Sequence, residues 1–132
     1  MNDDGLTTRH TTAGLRWLFA NRERLGLSLN DLGVLLGGLD GGSVRALQQD
    51  PNNLSLPGIP ADMTERIGLL LGIHRSLAVL APDNFSCKAF EMFQMPIDLV
   101  DLQGQSIKAF LLSNPDITSM RDMRRQVGGL SL

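Results

Sequence analysis

Pro60 and Pro82 bracket a segment, Ala61 to Ala81, with no internal proline and an unbroken apolar spacing. Proline ends helices, so the pair marks the limits of one long helix. Within it Met63, Ile67, Leu70, His74, Leu77 and Ala81 recur at steps of four and three. That spacing draws one stripe along a helix. Leu69, Ile73 and Leu80 fall on other sides. A helix apolar on most of its circumference belongs at the centre of a helical fold. Asp62, Glu65, Arg66, His74 and Arg75 interrupt the run. A membrane span needs about 20 nearly uncharged residues, so this segment is not read as one and no membrane association is expected.

Gly68 and Gly72 stand one turn apart in this helix. Each costs roughly 1 kcal/mol relative to alanine. A strip without side chains lets a neighbouring backbone approach closely in a tight helix crossing, and packing then offsets the loss. Ile67, Gly68, Leu71 and Gly72 are therefore the expected close-packing face, within the fold or across a homodimer. Two glycines merely tolerated in an over-stable helix are the plain alternative.

The rest of the chain reads as shorter helices. Met1 to His10 is polar and expected to fray. Thr11 or Thr12 is placed to cap a helix carrying Leu15, Leu18, Phe19, Arg22 and Leu25, which Gly26 stops. Ser28, with Asp31 three residues on, offers a capping box for a helix with Leu32, Leu35 and Leu36 inside. After GGLDGG, Gly37 to Gly42, Ser43 is placed to cap a third helix with Val44 and Leu47 inside. DPNNLSLPGIP, Asp50 to Pro60, is a connector. It divides the chain into 1–57, a helix-turn-helix region, and 58–132, a second helical domain. Beyond Pro82, helices are expected over Ser86 to Met95, Ser106 to Ser113 and from Asn114-Pro115 to Gly128. IDLVDL, Ile97 to Leu102, is a link, having no evident partner strand. The fold class is all-α.

Chemistry-bearing constellations are absent. Cys87 is the single cysteine, which excludes an internal disulfide and suits a reducing, cytoplasmic setting. It has no CxxC or HxxxH partner, so no zinc spacing exists. His10 lies in the polar N-terminal stretch. A lone histidine such as His74 on an apolar face is ordinarily a core residue. The glycines at 37 to 42 lack the Lys-Ser/Thr of a phosphate loop. Neither an enzyme nor a cofactor is indicated.

Arg22 to Gln49 has the period of a helix-turn-helix. In a DNA-binding version Ser43, Arg45, Gln48 and Gln49 would face base edges. The formal net charge is −2, and between Leu25 and Pro60 Arg45 is the only basic residue against Asp31, Asp40 and Asp50. With few counterions to release, operator DNA binding by the chain alone is expected to be weak. A helical hairpin serving as scaffold accounts for the same pattern.

Met92, Met95, Met120 and Met123 crowd the last third of the sequence, as core filling or as an adaptable contact surface. Arg121, Arg124 and Arg125 lie near a helix C-terminus. They complement its dipole or anchor a partner's acidic groove.

Three segments in order, RLGLSLNDLGVLLGG, LSLPGIPADMTERIGLLLGIHRSLAVLAPDN and GQSIKAFLLSNPDITSMRDMRRQV, resemble the Xre/MbcA/ParS-type antitoxins. The likeness covers roughly Arg22 to Val127, and ERIGLLLGIHRSL is its most specific piece. It implies an Xre-like helix-turn-helix followed by a toxin-binding and dimerisation domain. It also implies a partner, a RES-domain toxin that consumes NAD, whose active-site cleft the antitoxin covers. Operon autoregulation is implied too. By position, Gln105, Ser106, Lys108, Arg121, Arg124 and Arg125 are the implied toxin contacts. A stand-alone helix-turn-helix transcriptional regulator is the alternative.

Overall fold

The computed structural model describes residues 3–52, 60–80, 88–96, 102 and 104–130. These form an all-helical fold: α1 (Asp3–Asn21), α2 (Leu29–Leu35), α3 (Gly41–Gln49), α4 (Met63–Leu80), α5 (Lys88–Gln94), α6 (Ile107–Ser113) and α7 (Ile117–Leu130). Among the described residues there is no strand, only an isolated antiparallel bridge between Pro96 and Ser106. Contacts group the chain into two units, Met1–Gly68 and Leu69–Leu132, with the division inside α4. The sequence-derived division at 57/58 lies among residues outside those described.

In the first unit α1 and α2 each pack on α3. Leu15, Leu18, Leu32, Leu35, Leu36, Val44 and Leu47 are buried there. The expected capping box is formed: Ser28 Oγ accepts the Asp31 N–H, and Asp31 Oδ2 accepts the Ser28 N–H, both at 3.0 Å. The start of α1 differs from expectation. The helix begins at Asp3, and Thr11 and Thr12 lie inside it, buried. Their hydroxyls bond outside the helix, Thr11 with the Thr64 hydroxyl at 3.0 Å and Thr12 to the Pro51 carbonyl at 3.4 Å. Tertiary partners here replace the local capping role.

The turn from α2 to α3 is tight. The N–H groups of Gly38 and Leu39 both donate to the Gly33 carbonyl at 3.0 Å. Gly37 and Gly38 take positive φ values of 115° and 88°, a region that glycine enters without strain. Arg66 closes the end of α2. Its guanidinium, nearly buried, pairs with Asp62 at 3.0 Å and reaches the Leu35 carbonyl at 3.5 Å. A cation at a helix C-terminus meets the negative end of the dipole.

In the second unit α6 packs against α5 and α7. Buried apolar groups there include Ile73, Leu77, Phe93, Leu102, Ile107, Leu111, Met120, Met123 and Val127. Ile73, expected off the main stripe, is fully buried with it. His74 is half-buried and stacks obliquely on Phe90, with ring centroids 4.7 Å apart. Met120 and Met123 fill the core, whereas Met95 is exposed. Ser106, expected as the first residue of this helix, is its cap, and its hydroxyl accepts the Ala109 N–H at 3.0 Å. Asn114-Pro115 does not start α7. Asn114 instead returns its amide and side chain to the Phe110 carbonyl, ending α6. Asp116 caps α7 by accepting from the Ser119 N–H at 2.9 Å. The helix then continues through Gly128 and Gly129 to Leu130. Cys87 and Ala81 lie outside the described residues.

Candidate partner surface on the last helix

α7 carries two kinds of face. Met120, Met123 and Val127 are fully buried and define its inner side. Arg121 and Arg125 are exposed on the outer side. Arg125 pairs with Asp122 at 2.7 Å, a surface contact three residues apart that contributes little to stability. The implied contacts just before this helix are divided as well. Gln105 is exposed, Lys108 half-buried, and Ser106 buried as the cap of α6. Ser106 therefore serves first as a brace.

Arg124 does not join the outer arginines. It lies four residues after Met120 and three before Val127, on the inner side, and is half-buried. Its side chain crosses to α4. A Cβ built at Gly72 would collide with Arg124 Nε and lie 2.8 Å from Cδ. A Cβ at Gly128 would lie 2.7 Å from Nη1. Nη1 donates to Ser76 Oγ at 3.5 Å. Gly72, Ser76 and Gly128 thus form a channel that the arginine occupies. The two glycines of the long helix part company here: Gly72 is buried beneath Arg124, whereas Gly68 is exposed with nothing within 4 Å of a built Cβ. The close approach expected at Gly72 is made by a side chain and not by a backbone. Of the neighbours proposed for this face, Ile67 is buried and Leu71 half-buried.

The residues proposed for DNA reading are on α3. Arg45, Gln48 and Gln49 are exposed, and Ser43 is half-buried. Ser43 is not the cap. Asp40 is, accepting the Ser43 N–H at 2.7 Å. The carboxyl is held below its ordinary range chiefly by the hydrogen bonds from Ser43.

Comparison with protein families, curated proteins and solved structures gives no significant match. Among the described residues no group of three or more His, Cys, Asp or Glu is placed to hold a metal ion. No helix there is long and apolar enough to cross a membrane. Sequence reasoning missed Asp40 as a cap and Gly72 as the seat of Arg124. The first had a signal, an aspartate three residues before Ser43. The second joins positions far apart in the chain and had none.

Proposed function

We propose that this chain is the antitoxin of a toxin–antitoxin pair, a cytoplasmic homodimer that neutralises a RES-domain, NAD-consuming toxin encoded beside it. It acts by occlusion and performs no chemistry. The observation that carries the reading is the last third of the chain: GQSIKAFLLS and MRDMRRQV become a capped α6 and an α7 with an exposed arginine edge, Arg121 and Arg125. Arginine suits the recognition of carboxylate or phosphate because its planar fork forms paired hydrogen bonds. In this reading the α6–α7 region fills the toxin's cleft, with Gln105, Lys108 and the outer arginines at its border. NAD is kept out because its space is taken. The exposed Gly68 strip of α4 is the proposed dimer contact.

Operator binding belongs to the same proposal as a weaker activity. The order α2, tight turn, α3 and the exposed Arg45, Gln48 and Gln49 support it. The acidic cap Asp40 opposes it, since an anion already occupies the end of α3 that phosphate would approach.

Charge reversal of both outer arginines, Arg121→Glu with Arg125→Glu, is the test. Cells expressing the toxin should lose protection while the variant keeps the helical signal of the parent. Full protection by a folded double variant would refute the reading.

A further inference from the structure

The antitoxin reading brings Arg121, Arg124 and Arg125 together as contacts. We infer, resting on that reading, that Arg124 is a positioning residue. It keys α7 to one register on α4 and so fixes where Arg121 and Arg125 are presented.

Three observations converge on this. Arg124 shares the inner side of α7 with the fully buried Met120 and Val127. Its Cδ and Nε fill the space over Gly72, so a larger residue there would push the arginine side chain aside. Its Nη1 lies over Gly128 on its own helix and meets Ser76 on α4. Gly72 and Ser76 are one turn apart, as are Arg124 and Gly128. A guanidinium on an otherwise apolar face is accommodated only where small residues and a hydroxyl are opposite it. Sliding α7 by one turn would set the cation over Gly68 and Gly72, which offer room but no hydroxyl, or over Ser76 and Leu80, where a leucine stands in place of the acceptor. A single polar residue on an inner face specifies register in this way in paired helices. The cost of glycine at 72 is then explained by what it admits.

The channel makes Arg124 distinct from its neighbours in a measurable way. Arg124→Lys keeps the stem over Gly72 and a cation for Ser76 but loses the planar fork that a direct contact with carboxylate or phosphate would use. If Arg124 positions α7, the lysine variant retains most of its affinity for the RES enzyme, within about threefold in Kd. Arg121→Ala with Arg125→Ala weakens it by more than about tenfold. Calorimetry with the purified enzyme reads both. A Kd for Arg124→Lys raised as far as that of the outer double variant would overturn the inference and restore Arg124 as a contact.

A second measurement needs no partner and separates this inference from the antitoxin reading. Gly72→Ala should lower the thermal midpoint of the full chain when Arg124 is present. In the Arg124→Ala background the same change should raise it, because the clash is gone and alanine favours helix. Additive effects of the two substitutions would refute the keyed channel, whatever the toxin experiments give.

Discussion

Asp40 Oδ1 accepts the amide hydrogen of Ser43 at 2.7 Å, so the first turn of α3 is already satisfied by an anion. A helix start is where backbone N–H groups otherwise meet phosphate. With Arg45 the only basic residue between Leu25 and Pro60, the acidic cap places a negative charge at the start of α3, the helix proposed to read DNA. Asp40→Ser keeps a capping oxygen and removes the charge. It should strengthen non-specific duplex binding at low salt, and the gain should fade as salt rises. A fluorescence-anisotropy titration at two salt concentrations checks it. Equal binding by both proteins would show that Asp40 does not limit contact with DNA.

The same carboxylate gives a pH dependence. Its folded value is depressed below the ordinary 3.8 by the Ser43 hydrogen bonds. A depressed carboxylate stabilises the fold above its unfolded value, and that share is lost as pH falls through the lower folded value. Asp40→Asn should therefore flatten the acid side of the stability profile below about pH 4. Thermal midpoints across that range provide the readout, and an unchanged acid slope would contradict the assignment.

Two glycines should respond to alanine in opposite directions. A Cβ at Gly33 would lie 2.9 Å from the Leu39 carbonyl oxygen, a backbone atom that cannot step aside cheaply. Gly33→Ala should cost more than about 1 kcal/mol in urea unfolding. Gly68 is helical and open, so Gly68→Ala should raise stability by about 0.5–1 kcal/mol. If α4 pairs with a second copy through that strip, the same alanine weakens self-association, which sedimentation reads separately.

Ser106 is the cap of α6, with its hydroxyl on the Ala109 N–H and its side chain buried. Ser106→Ala should lower stability by about 1 kcal/mol. Ser106→Asp should recover most of it, because a carboxylate caps as well. Denaturant midpoints of the two variants check the point, and recovery of nothing would make the hydroxyl's other surroundings the cause.

Arg66 joins Asp62 to the end of α2 through a nearly buried guanidinium. Arg66→Met retains much of the stem's packing but leaves the Leu35 carbonyl without this donor. A loss of about 1–3 kcal/mol is expected, as for a buried hydrogen-bonded group. A neutral effect in chemical unfolding would mean that water replaces the guanidinium there at no cost.

What the sequence made legible was local. The side chains of Ser28 and Asp31 each bond the other's backbone N–H, so spacing alone identifies their box. Pro60 likewise stands shortly before α4, which begins at Met63, while the expected stop at Pro82 lies outside the described residues. Thr11 and Thr12 were misread for the converse reason: their hydroxyls are used by Thr64 and Pro51, and no local rule points to those partners. Ser43 lost the cap to Asp40, a competition between two good capping residues that only backbone geometry decides. The glycine pair of α4 announced a close approach by a neighbouring backbone, whereas Gly72 admits a side chain and Gly68 meets nothing within 4 Å. Arg124 stands on another helix, and the three neighbouring arginines look alike as letters. Folding turns one of them inward and two outward.

Titration of the full chain into the purified RES-domain enzyme proposed as its partner, with heat and NAD turnover followed together, bears most directly on the central claim. Saturable heat, with turnover falling in step with occupancy, is the predicted result. Absence of heat with turnover undiminished at every ratio would contradict it.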